Sequence, residues 1–95
     1  MEVKEIRTRI EKLSRKTLPK GEFVKALVKE DKDWQGGEIL DVTIVLEGRK
    51  EFDTEKSFKL SRLVRDELVE SDEKRFPMFK FVIKEEAGEL GIAIP

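Results

Sequence analysis

The sequence predicts an α+β domain, a two-layer sandwich in helix-strand-strand-helix-strand order. Its three- or four-stranded mixed sheet carries two helices on one face. Three observations predict this. Leu40, Val42, Ile44 and Leu46 alternate with Asp41, Thr43, Val45 and Glu47, the period of two that buries one face of a strand and wets the other. Val3, Ile6, Ile10 and Leu13 recur at helical spacing, as do Leu60, Leu63, Val64 and Leu68. Phe79, Phe81 and Ile83 then alternate with Met78, Lys80, Val82 and Lys84, which returns the chain to strand period.

The first helix spans about four turns. Glu2, Glu5 and Glu11 lie toward its start and Arg15 and Lys16 at its end, as the macrodipole favours; Pro19 and Gly21 stop it. A weaker strand follows over residues 23–29, with Val24, Ala26 and Val28 on one face. Residues 30–37 read as a charged loop, making an antiparallel hairpin with a loop longer than the two-residue type. After the central strand, residues 48–51 read as a turn and Asp53 as an N-cap for a helix over about 54–70. Residues 72–75 form a charged turn, and Pro77 biases Phe76 to extended geometry ahead of the third strand. The apolar run Leu90-Gly91-Ile92-Ala93-Ile94 is expected to dock as a short edge strand or under the first helix. The second helix is then a crossover that brings the third strand parallel to the second, and such connections are right-handed. The sheet face away from the helices is expected to be open.

At 95 residues the chain reads as one domain, residues 1–95. Charged residues make up 43% of it, but 20 basic side chains offset 21 acidic ones, leaving a net charge of −1. Balanced charge with periodic apolar residues marks a folded domain rather than a disordered one. With no Cys there is no disulfide and no thiolate site; with no His the commonest general base and metal ligand is missing. The N-terminus lacks the apolar stretch of a signal peptide, and no segment approaches the ~20 apolar residues of a membrane span, so a cytoplasmic address without membrane contact is expected. No enzyme activity, cofactor or metal is expected.

The candidate chemistry sits near the central strand's entrance. Asp31, Asp33, Glu38 and Asp41 are the carboxylates a hard cation such as Mg²⁺ would need. Gly36-Gly37 ahead of Asp41 resembles the minimal nucleotidyltransferase motif, which implies a metal-dependent phosphoryl-transfer relic as a third reading. In that motif, however, a Gly-Ser pair opens a helix and an Asp-x-Asp pair follows. Here Asp31-Lys32-Asp33 precedes the glycines, so a solvated acidic turn is the simpler account. Trp34, the single Trp, either anchors an interface or folds back over the edge of the core. Gly36-Gly37 reads as a turn before an anion nest. Two basic stripes, Lys74-Arg75 with Lys80 and Lys84, and Lys16-Lys20 near Lys25 and Lys29, would contact phosphates if they converged.

The order of elements over residues 3–84, with Phe76-Pro77-Met78-Phe79-Lys80-Phe81-Val82 following a charged turn, resembles the KH type II-like arrangement of the ribosome-binding factor A family. The resemblance implies RNA or ribosome association. The chain departs from that family in its balanced charge, in lacking the Ala-x-Gly kink in its second helix, and in lacking the Gly-x-x-Gly loop of KH domains. The function expected from the residues themselves is non-catalytic binding of a protein partner by a small adaptor or regulatory subunit, such as an antitoxin-like one. Its expected surface is Trp34 with the open sheet face: Thr43, Val45, Lys80 and Val82. RNA is the alternative partner. A second copy across a two-fold axis is a further expectation, since Val45 and Val82 would offer a self-complementary face.

Overall fold

A computed structural model describes residues 2–48, 54–89 and 91. The elements are α1 (Val3–Thr17), β1 (Phe23–Lys32), β2 (Glu38–Leu46), α2 (Thr54–Glu70), β3 (Phe76–Ile83) and α3 (Lys84–Glu89). The sheet has the order β1-β2-β3, with β1 antiparallel and β3 parallel to β2. The expected α+β architecture and mixed sheet are therefore present. The Asp53 cap, most of the 48–51 turn and most of the apolar tail lie outside the described residues.

The main core forms where the alternating face of β2 meets the helical stripes. Leu40, Val42, Ile44 and Leu46 pack with Ile6 and Ile10 of α1 and with Leu60, Val64 and Leu68 of α2; Ala26 and Leu18 complete the cluster. Ser14 also lies buried on the α1 stripe, where its hydroxyl donates to the Ile10 carbonyl at 2.7 Å and so leaves no unpaired polar group. Arg9 clasps the two helices: its guanidinium donates to Glu67 at 3.2 Å, to the Ser71 hydroxyl, and to Glu5 at 3.3 Å.

The C-terminus of α2 closes in a Schellman motif. The Glu73 amide donates to the Leu68 carbonyl (2.9 Å) and the Asp72 amide to the Val69 carbonyl (3.0 Å). That geometry puts Asp72 in the left-handed region at φ 64°, where a Cβ is unfavourable. Asp72→Gly is expected to raise unfolding free energy by about 0.5–1 kcal/mol, measured by urea denaturation.

Three expectations need correction. β1 continues to Lys32 instead of ending at Lys29, because the backbone ladder runs on through Glu30↔Leu40, Asp31↔Ile39 and Lys32↔Glu38 although these β1 side chains carry no apolar signal. β3 begins at Phe76 and ends at Ile83, with Lys84 opening a helix. The sheet face away from α1 and α2 is not open throughout. Here α3 folds back and seals Val45 and Val82 under Ala87, with Val24 packed alongside. A register shift between Phe23 and Lys25 bulges β1 at that end, where Phe23 joins the main core and Val24 the smaller cluster.

Candidate partner-binding surface

The β1–β2 hairpin ends in a tight, fully bonded turn. The Gly36 amide donates to the Asp33 carbonyl (3.0 Å), and the Asp33 amide donates back to the Gly37 carbonyl (2.8 Å). Gly36 sits at φ 85°, the left-handed position that follows a β-turn in a three-residue hairpin loop. The Asp33 carboxylate reinforces the loop, with one oxygen accepting from the Gln35 amide (2.9 Å) and the Gly37 amide (2.7 Å). A Cβ at Gly37 would come within 2.7 Å of the other Asp33 oxygen, so a side chain there would push the carboxylate off its bonds to the turn. Asp33→Ala is expected to cost about 1 kcal/mol and to speed amide exchange at Gln35 and Gly37.

This turn accounts for several sequence features at once. The glycine pair serves the loop geometry, and both of its amides are bonded within the turn rather than turned toward an anion. Asp33 is spent on the loop, and an Asp31 oxygen accepts from the Lys32 amide at 2.8 Å. Among the described residues no three carboxylates converge to hold a metal ion. Trp34 stands at the tip with 91% of its surface exposed. It does not fold back over the core.

The remaining predicted surface divides in two. Thr43 lies between Leu27 of β1 and Lys80 of β3 in one row across the sheet. Thr43 is buried, contrary to its expected place on the contact surface, because the flanking strands cover it, while Lys80 is exposed. Val45 and Val82 form the next row and are buried beneath α3, so they are core residues and offer no contact surface. Trp34 lies beyond the far end of the hairpin. Thr43 is five residues from the start of β2, so at the rise of a strand the two are at least about 16 Å apart. The five residues therefore do not form one patch.

The basic stripes converge only in part. Lys16 lies on α1, in the helical layer, whereas Lys25, Lys29 and Lys80 pair in register with Val45, Asp41 and Thr43 on the opposite sheet face. Arg75 is engaged elsewhere. Its amide, Nε and Nη2 donate to the Glu73 carboxylate at 2.9–3.0 Å, and its Nη1 reaches Glu30 of β1 at 3.0 Å. This group ties the start of β3 to β1 past the central strand. The Arg75 hydrogen bonds hold the Glu73 carboxyl down at about 2, and the same bonds raise the guanidinium further above its already high range. Neither group is poised to exchange a proton near neutral pH.

Sequence reasoning missed a second apolar surface. Phe58 on α2 is 71% exposed, and Phe76 and Met78 at the start of β3 are about half exposed, at 50% and 52%. The Arg65 guanidinium lies over the Phe76 ring at 5.4 Å, so α2 reaches the outer margin of β3. The available signal was Pro77, which is confined to edge strands or bulges because it cannot donate to a central ladder. No helix among the described residues is long and apolar enough to cross a membrane. No family model, curated protein or solved structure matches the chain.

Proposed function

We propose that this chain is a non-catalytic, cytoplasmic protein-binding domain of the adaptor or regulatory kind, with Trp34 as its principal contact. The observation that carries the reading is a Trp exposed over 91% of its surface at the tip of a turn held by four hydrogen bonds. A large apolar ring left in water forgoes roughly 2 kcal/mol of burial. An interface recovers it, and a rigid loop loses little entropy in doing so. Trp is also among the residues that concentrate binding energy at protein contacts.

Capture from source-cell extract, with and without ribonuclease, tests this. Trp34→Ala is expected to weaken capture of a protein partner by roughly thirtyfold or more, a loss of about 2 kcal/mol. Thermal stability should stay within about 0.5 kcal/mol of the unmodified chain, since the side chain packs on nothing. Capture abolished by ribonuclease favours the RNA-associated alternative implied by the KH-like resemblance, a class for which α1 supplies six basic and two acidic side chains. Capture unchanged by Trp34→Ala rejects the proposed contact.

A further inference from the structure

We infer that the groove between α2 and the outer edge of β3 binds an extended apolar peptide carrying acidic residues, which adds to the sheet as a fourth strand. This rests on the protein-binding reading above and names a partner class and a second contact surface for it. β3 pairs with β2 on one side, and among the described residues no strand pairs with its other side. From Met78 onward the strand presents a row of backbone donors and acceptors, the template for strand addition; Pro77 has no amide to give and limits pairing at its start. The groove wall is apolar at Phe58, Phe76 and Met78, all half-exposed or more. Its polar rim is cationic: Arg62 and Arg65 line it from α2, no acidic side chain among the described residues does, and Lys80 follows Phe76 and Met78 on the strand face turned away from α2.

The charge selects the occupant. An added strand lays alternate side chains on the two sheet faces, so acidic residues on one side meet Arg62 and Arg65 and on the other meet Lys80. A second copy pairing edge to edge about a two-fold axis would instead set the same cations against each other, and opposed like charges destabilise a strand pair. The groove is therefore complementary to an acidic peptide and not to itself.

The test uses the full chain and fluorescence polarisation with an end-blocked peptide of repeating valine-valine-glutamate-glutamate, matched to β3 in length, so that each face of the added strand carries both residue types. Its lysine counterpart and a form N-methylated at every residue serve as comparisons. The glutamate peptide is expected to bind roughly tenfold or more tightly than either. In the exposed double variant Arg62→Glu, Arg65→Glu the preference should reverse toward the lysine peptide. Equal binding of the N-methylated form overturns strand addition, and an unreversed preference overturns the cationic rim. Two other results also overturn the proposal: tenfold tighter binding in Ile92→Lys, Ile94→Lys, which would make the chain's own tail the occupant, or a dimer in sedimentation that the peptide dissociates. Failure of any kind here leaves the Trp34 capture experiment to stand or fall on its own result.

Discussion

Arg75→Met is expected to lower unfolding free energy by about 2–3 kcal/mol, because it takes both side-chain donors and the compensating charge from the part-buried Glu73 carboxylate. The Glu73 side chain is only 5% exposed and that of Arg75 16%, each covering the other, so water replaces the lost bonds only in part. Two side-chain donors of Arg75, Nε and Nη2, are lost with the guanidinium, while the backbone amide at position 75 still donates to the Glu73 carboxylate, whose charge is left without its cation. Adding Glu73→Gln to Arg75→Met should recover part of the loss, since the uncompensated charge is the main penalty.

The same pair sets a pH dependence. The Glu73 carboxyl titrates at about 2 when folded against 4.5 ordinarily, so the unfolded chain binds the proton first as pH falls. The contribution of Glu73 is complete above pH 4.5 and fades as pH drops toward 2. At about 1.4 kcal/mol per pKa unit it amounts to roughly 3 kcal/mol. Urea denaturation at pH 7 and pH 2.5 should show the gap between the native chain and Arg75→Met narrowing at the lower pH. A gap that stays constant would mean the guanidinium acts through packing alone.

Gly48→Ala is the second large effect, about 2–5 kcal/mol destabilising by urea denaturation. Gly48 has φ 74°, left-handed backbone in which a Cβ costs about 1–2 kcal/mol. A Cβ there would also collide with Cβ and Cγ2 of Ile83 at the end of β3, which forces displacement worth about 1–3 kcal/mol. Gly21→Ala separates the two causes. Gly21 has φ 84° but nothing within 4 Å of its added Cβ, so only the backbone cost should appear there. Equal losses at the two sites would contradict the close approach to Ile83.

The elements whose packing is written in their own period were legible in the sequence: α1, the apolar face of β2, α2 and most of β3. What escaped depends on contacts that no local period records. The segment Lys84-Glu85-Glu86-Ala87-Gly88-Glu89 holds one apolar side chain besides a glycine, and α3 is fixed only once Ala87 meets Val45 and Val82. Those valines look like a wet face until that helix covers them. The last residues of β1 are charged and are held by the backbone ladder to β2. Ser14 reads as polar yet is buried, because its hydroxyl is satisfied within its own turn of helix. The link from Arg75 to Glu30 spans 45 positions and has no sequence signature. Trp34 and the glycine pair were visible as a feature, but only the Asp33 hydrogen bonds explain why the Trp is held out in water.

Because Trp34 is the single Trp of the chain, its fluorescence reports on the proposed contact alone. Iodide quenching, measured on the free protein and again with the captured partner added, tests the central claim most directly. The expected result is an indole as accessible as a solvated tryptophan amide in the free protein, with emission that shifts to the blue and resists iodide when the partner is bound. An indole already protected in the free chain, or one that stays fully quenchable in the complex, would contradict the assignment of Trp34 as the binding contact.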